Sequence, residues 1–466
     1  MASPRLLLTA LLAFAASSLA ADRLPNVVII FTDDQGYGDV GVFGARGYAT
    51  PNLDSLARDG VKFTNFHVAQ AVCSASRAAL LTGCYSNRVG IHGALGPGAN
   101  HGLAATETTI AELLKTRGYA TGMAGKWHLG HREAFLPNRH GFDESFGLPY
   151  SNDMWPYHPE AKAGTYPKLP LYENGRVIDP EITPEKMNLL TTRYTERAVS
   201  FIERNKERPF FFYLAHSMPH VPLAVSDKFR GKSQAGLYGD VIMEIDWSVG
   251  EVLRALDRHG LARDTLVIFT SDNGGTQQSS QEPLRGNKGC YYEGGIREPF
   301  IAYWPGVINA GTTDKTPVHN VDLYPTFLAT AAAKIPAGKT LDGESLLPLF
   351  KGNGKLKRQA IFWHFPGYLD DPVLRGRDPV FRTRPVSVIR KGDWKLHLYH
   401  EEWQLDGGRY RLAPLYDVMS IWPVGSPLAG VNVPLLVSAR TNLGMSTAAR
   451  PRPPRFVRMI PLSSHC

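Results

Sequence analysis

Residues 26–39 read NVVIIFTDDQGYGD, and residues 265–275 read TLVIFTSDNGG. Each starts as an unbroken run of β-branched and apolar side chains and stops at acids and glycine. A run without polar alternation reads as a strand covered on both faces. Helical periodicity lies over Pro51 to Asp59, Thr108 to Arg117 and Thr191 to Arg204, and the last leads into another strand, PFFFYLAH at 209–216. Strands alternating with helices in this way define an α/β sheet. In open sheets of that class ligands collect beyond the carboxyl ends of the strands, which is where Asp33, Asp34, Asp272 and Asn273 fall.

Past Phe350 the pattern shortens. QAIFWHF at 359–365, RPVSVIRKGDWKLHLYH at 384–400 and YRLAPLYDV at 410–418 predict a small antiparallel sheet. The expected division is a body over 22–352, a small C-terminal β-rich subdomain over 357–418, and an atypical tail over 419–466. That tail is rich in Pro, Gly and Arg and is expected to order poorly.

At the other end, Arg5, the apolar run Leu6 to Ala16 and the small residues Ser17-Ser18-Leu19-Ala20 have the order of a secretory signal peptide over 1–20. No later segment approaches the ~20 continuous apolar residues of a membrane span. A secreted or periplasmic protein is expected, and the lack of any Asn-x-Ser/Thr acceptor leans toward a bacterial periplasm. The formal charge is +8, but residues 411–466 hold six arginines against Asp417 alone, so that stretch supplies +5 and the body is only mildly basic. With no basic stripe carrying interleaved aromatics, a nucleic-acid partner is not expected. Four cysteines, Cys73, Cys84, Cys290 and Cys466, fit neither a disulfide framework nor a zinc site by their spacing. For Cys84 and Cys290, a disulfide and two free buried thiols both remain open.

Asp33 and Asp34 are adjacent acids at a strand end, where like charges disfavour one another unless a cation or solvent intervenes. Taken alone, DDQG and SDNGG are ordinary turns. Placed after two similar strands, they form a hard, oxygen-only donor set that suits calcium, with magnesium second and zinc disfavoured. Lys126 and His128 in TGMAGKWHLG, His216 and His220 in AHSMPHVP, and Lys288 in RGNKGCYYEGG each read singly as surface or loop groups. Together with an acid-bound metal they argue for an anionic substrate. Cys73, at the start of the helical stretch CSASRAALLTG, sits where backbone N–H groups favour an anion. Reactive nucleophile, disulfide partner and inert core thiol are its ordinary readings. Yet sulfur is a poor ligand for a hard cation, so an unmodified thiolate is chemically misplaced there.

Taken together these residues resemble the type I sulfatase family of the alkaline phosphatase-like superfamily, and its arylsulfatase A-like members in particular. The resemblance runs from about Pro25 to Trp394. It rests on Cys73-Ser74-Ala75-Ser76-Arg77 followed by Leu80-Leu81-Thr82-Gly83, on Gly118-Tyr119-Ala120-Thr121 leading to Gly125-Lys126-Trp127-His128, and on TDDQGYGD, SDNGG and YEGGIREP. It implies a large mixed sheet flanked by helices, and hydrolysis of organic sulfate monoesters, aryl or carbohydrate. It also implies that Cys73 is oxidised after translation to formylglycine, an aldehyde that hydrates to a geminal diol.

On this resemblance Asp33, Asp34, Asp272 and Asn273 would hold calcium together with the modified Cys73, and Arg77 and Lys126 would polarise the diol. One hydroxyl would attack sulfur while Lys288 and His220 stabilise charge on the sulfate oxygens. His220 or Lys288 would protonate the leaving alcohol, and His128 would take the proton from the second hydroxyl as sulfate leaves. Ser151, in PYSND, matches a substrate-contacting position. The family's commoner motif has proline where this chain has Ala75, and the alanine form goes mainly with bacterial members. The implied maturation partner is therefore a formylglycine-generating enzyme or an anaerobic sulfatase-maturating enzyme. Two alternatives stand beside the leading one: a phosphodiesterase or phosphonate monoester hydrolase of the same fold, and a non-catalytic binder of sulfated glycans should Cys73 stay unconverted.

Overall fold

The first strand, β1 (Asn26–Thr32), has all seven residues buried. It runs parallel between β7 (Phe210–Ala215) and β8 (Thr265–Ser271), two strands just as fully buried. The structure, a computed structural model, describes residues 23–369, 383–400, 403–406, 409–412 and 418–423. The leader expected over 1–20 and the tail from 424 on lie outside the described residues.

Around this centre the chain adds β2 (Val61–His67), β3 (Ala120–Lys126), β4 (Glu144–Leu148), β5 (Leu171–Glu173), β6 (Arg176–Asp179), β9 (Arg297–Tyr303) and β10 (Thr312–Asp314). The strand order is β10-β2-β9-β8-β1-β7-β3-β4-β5-β6, with β11 (Val318–His319) alongside β2, eleven strands in all. The middle is parallel, whereas β9 runs antiparallel to both β8 and β2, and β5 runs antiparallel to β4. The sheet is therefore mixed, as the resemblance implied.

Alternation sorts the side chains of β1 into two apolar layers. Val27, Ile29 and Phe31 join one cluster and Val28 and Ile30 the other. The second layer is closed by helices Pro51–Arg58, Leu190–Arg204 and Gly236–Arg258, which bring Leu53, Phe201 and Ile245 onto it. The first is closed by helices Cys73–Thr82, Ile110–Lys115 and Leu323–Thr330. Local signals place these helices. Pro51 occupies a first-turn position, and Thr109 and Glu112 form a reciprocal capping box.

The small sheet pairs β12 (Ile361–Phe365), β13 (Val386–Lys391) and β14 (Trp394–Tyr399) antiparallel, as expected. Strands β15 (Trp403–Asp406) and β16 (Arg409–Leu412) pair with each other, and β17 (Val418–Pro423) adds to β14. Ile361, Trp363, Phe365, Val386 and Val388 join the apolar cluster that lies under the Cys73 helix, so this sheet shares a core with the body.

Ile30 is fully buried between the sheet and its helices, whereas Val177 on β6 is half exposed. Urea denaturation should show Ile30→Ala costing about 2–5 kcal/mol, and Val177→Ala less than about 0.5 kcal/mol.

Candidate active site

The carboxyl ends of four adjacent strands finish together. Thr32 of β1 stands beside Ser271 of β8, which sets Asp33 and Asp34 against Asp272 and Asn273. Ala215 of β7 stands beside Gly125 of β3, so Lys126 and His128 face the segment carrying His220. β4 then leads into Ser151. Asp34 and His128 have φ of 63° and 59°, left-handed values uncommon outside glycine. Such backbone cost is tolerated where the surroundings over-determine it, and both residues lie in this cluster.

Helix Cys73–Thr82 starts at Cys73 itself, and all ten of its residues are buried. Arg77, one turn on, lies on the same face. Its Nε and Nη2 donate to Asp272 Oδ2 at 3.1 and 2.8 Å, and Nη2 is 3.5 Å from Asp33. Lys126 Nζ donates to Asp33 Oδ2 at 2.5 Å and to Ser151 Oγ at 2.9 Å. Lys288 arrives on a loop pinned by its own backbone, with Lys288 N bonded to Gly275 O at 2.9 Å and Gly289 N to Ala71 O at 3.0 Å. Its Nζ reaches Asp34 Oδ2 at 2.8 Å, His220 Nε2 at 3.0 Å and Cys73 Sγ at 3.3 Å. His220 Nδ1 is 2.6 Å from the Val221 carbonyl, which only accepts, so Nδ1 carries a proton and Nε2 faces the cluster. Asp33, Asp34, Cys73, Arg77, Lys126, His128, Ser151, His220, Asp272, Asn273 and Lys288 thus converge here. His216 does not; it is a core histidine bonded to Ser248 Oγ at 3.1 Å.

Burial and charge then decide protonation. Burial alone would raise Asp33, but Lys126, His220, Arg77 and Lys288 outweigh it and hold the carboxyl well below its ordinary range. Burial and the neighbouring Asp33 carboxylate push Asp272 up to about 7 despite Arg77. Burial, then Lys126 and Arg77, keep His128 well below the usual histidine value. The imidazole is therefore neutral, and both its ring nitrogens are buried without partners among the described residues. Burial pushes the Cys73 thiol well above its ordinary value, although Lys126 and Lys288 oppose this. A thiol so held is protonated and a poor nucleophile.

Asp33, Asp34, Cys73 and His220 each offer a ligand atom within 4.8 Å of one another, a grouping that brings in His220 and leaves Asp272 facing Arg77. Asn273 Nδ2 donates to Asp34 Oδ1 at 2.7 Å, while Asn273 Oδ1 is buried with no partner among the described residues. A buried acceptor without a donor, beside three mutually repelling carboxylates, suits a hard cation. Charge balance points the same way. Asp33, Asp34 and Asp272 are matched by Arg77, Lys126 and Lys288, and Asp153 adds another acid, held below its usual range against burial by His220 and Lys126. Without an added cation this set has no net positive charge to offer an anion.

Asp153 was not singled out from the sequence, nor was Tyr213, whose hydroxyl stands 3.5 Å from Arg77 Nη1. The neighbour of Ser151 and an internal residue of a buried strand carry no local pattern that marks them. Cys84 and Cys290 are free buried thiols, and Cys84 Sγ donates to Thr340 O at 3.1 Å.

Comparison with known proteins agrees with this geometry. The family described as Sulfatase matches residues 25–333, and the one described as N-sulphoglucosamine sulphohydrolase, C-terminal, matches residues 286–406. The chain is 41% identical to arylsulfatase A of Homo sapiens over 421 residues, covering 86% of this chain and 79% of that protein. It is 36% identical to N-acetylgalactosamine-6-sulfatase of Rattus norvegicus over 417 residues, 85% of this chain and 75% of the other. A crystal structure of Ps i-CgsB in complex with k-i-k-neocarrahexaose superposes with a TM-score of 0.69 at 31% identity, covering 84% of this chain and 86% of that one. The chain belongs to the sulfatase family. It is a sulfuric ester hydrolase with the alkaline phosphatase-like architecture of that family. No helix among the described residues is long and apolar enough to cross a membrane.

A carboxyl raised in the folded state binds its proton more tightly there, so the stability it lends is full below its unfolded pKa and lost as pH rises through the folded value. For Asp272 that loss begins in the ordinary carboxylate range and is complete as the pH passes about 7. In cation-free buffer, raising the pH from about 5 to about 8 should lower the melting temperature of the wild type relative to Asp272→Asn, and a saturating divalent cation should remove the difference.

Proposed function

We propose that this enzyme hydrolyses sulfate monoesters of carbohydrates, or of aryl alcohols, with formylglycine made from Cys73 and a calcium ion held by Asp33, Asp34, Asp272, Asn273 and the modified residue. The observation that carries this reading is the state of Cys73. It heads a helix with its Sγ 3.3 Å from Lys288 Nζ and 3.5 Å from Asp33 Oδ1, among cations and acids where burial pushes a thiol up and a soft sulfur is a poor ligand for a hard cation. Formylglycine supplies a nucleophilic hydroxyl, and calcium supplies Lewis acidity and two positive charges. All-oxygen donors favour calcium over zinc, and magnesium is the second choice.

The chain's own residues do the rest. With carboxylate charge compensated by a cation, Lys126 and Lys288 are left to bind the ester's sulfate oxygens, with Ser151 beside Lys126. The Lys288 ammonium, 3.0 Å from His220 Nε2, is placed to give a proton to the leaving alcohol oxygen, and His220, whose Nδ1–H is tied to the Val221 carbonyl, could do so only with a second proton on Nε2. His128, buried, neutral and without a partner among the described residues, is the proton acceptor. Arg77 holds Asp272 in place and adds positive charge beneath the reacting group. A carbohydrate ester is favoured because the superposed Ps i-CgsB structure carries an oligosaccharide.

Export follows from the apolar run Leu6 to Ala16, and a periplasmic location agrees with it. Ala75 in the cysteine motif points to a maturase able to accept the alanine form, either formylglycine-generating or anaerobic.

Cys73→Ala should abolish turnover of a chromogenic aryl sulfate and of sulfated oligosaccharides while leaving the melting temperature close to that of the wild type. Retained activity in the variant, or a preference for phosphodiester or phosphonate substrates in the wild type, would overturn the reading. After chelation, calcium should restore more activity than zinc.

A further inference from the structure

Lys288 sits on neither a strand end nor the Cys73 helix, so something else must hold its loop. The loop closes on a short helical turn, Glu293–Ile296. Gly294 N bonds Arg285 O at 2.8 Å, and on the far side Gly274 N bonds Gly295 O at 3.1 Å, next to Asn273. The contact is too close for side chains. A Cβ on Gly295 would lie 2.1 Å from Cys290 O, and one on Gly294 would lie 2.2 Å from Gly286 O. Turn and loop therefore move as one body.

The turn is in turn fixed from the small sheet. Glu293, 2% exposed, accepts from Lys395 Nζ on β14 at 2.8 Å, with Arg390 of β13 at 3.5 Å, Arg297 at 3.5 Å and His67 of β2 at 3.2 Å. Lys395 is 1% exposed. The rings of Tyr292 and His397 approach to 5.1 Å, and the Thr383 hydroxyl donates to the Gly289 carbonyl, one residue past Lys288.

We propose that Lys395, through its buried ion pair with Glu293, is a positioning residue for Lys288, so that the small C-terminal sheet sets the placement of a sulfate-binding ammonium it does not itself touch. The inference rests on the role given to Lys288 above. Removing Lys395 leaves Glu293 two guanidinium partners, so the turn loosens without an orphaned buried carboxylate, whereas removing Glu293 would strand several cations. Lys395→Met is therefore the informative change. A small misplacement of a charged group at a reacting centre costs rate far more than it costs stability.

The test is a double-mutant cycle between Lys395→Met and Lys288→Ala, read as kcat/KM for a sulfate monoester, with Lys395→Arg as rescue. Lys395→Met is expected to lose about 10- to 100-fold with most of the loss in kcat. Lys395→Arg should recover most of it, and the double variant should be no slower than Lys288→Ala alone. Losses that multiply in the double variant, or wild-type kcat/KM in Lys395→Met, overturn the proposal. Should Lys395→Met fail to fold, Thr383→Val is read in the same cycle, with a smaller loss that again vanishes in the Lys288→Ala background. A wild-type enzyme without sulfate ester turnover counts against the functional reading instead, and calorimetric binding of inorganic sulfate then reads the same cycle.

Discussion

Carboxylates packed out of water at the ends of β1 and β8 repel one another, and the surroundings of the site answer that repulsion. Asp33 and Asp272 stand side by side because their strands are parallel neighbours in register. Three cations converge on these two and Asp34 from separate parts of the chain: Arg77 from a helix, Lys126 from β3 and Lys288 from a loop. Even so, burial and like charge leave Asp272 raised, and Asn273 Oδ1 has no donor among the described residues. A divalent cation relieves both conditions at once and turns a balanced cluster into one that attracts a sulfate.

The same constraint explains why the site lies where it does. Strand ends in an open sheet project backbone and side-chain oxygens into a common crevice, and here four of them do so together. The helix that begins at Cys73 points its N-terminus into that crevice, adding unpaired N–H groups where negative charge gathers. β9 joins antiparallel on one side and β5 on the other, and with β2 and β6 beyond them they widen the sheet. The small sheet has a dual position, sharing the apolar layer below the Cys73 helix and gripping the turn behind Lys288.

Much of this was legible in the amino-acid order because local signals carried it. The unalternating runs of β1 and β8, the acids that end them, and the helices at Pro51 and Thr109 all appear where their patterns place them. β3 left a fainter trace. Its sequence, ATGMAGK, is poor in β-branched residues because packing demands small ones: a Cβ on Gly125 would lie 1.7 Å from Ala215 O, and one on Gly122 would lie 2.7 Å from Phe201. Asp153 and the Glu293–Lys395 pair left no trace at all. Their meaning comes from partners far along the chain, and no periodicity or short motif encodes such a meeting.

What stands at position 73 in the working enzyme decides how the site can react. A peptide spanning that residue, cut from active protein made in its native host and weighed by mass spectrometry with a carbonyl-reactive tag, is the most direct test. An aldehyde that takes up the tag is the outcome expected here. Active enzyme whose peptide keeps the full mass of cysteine and reacts only as a thiol would contradict it.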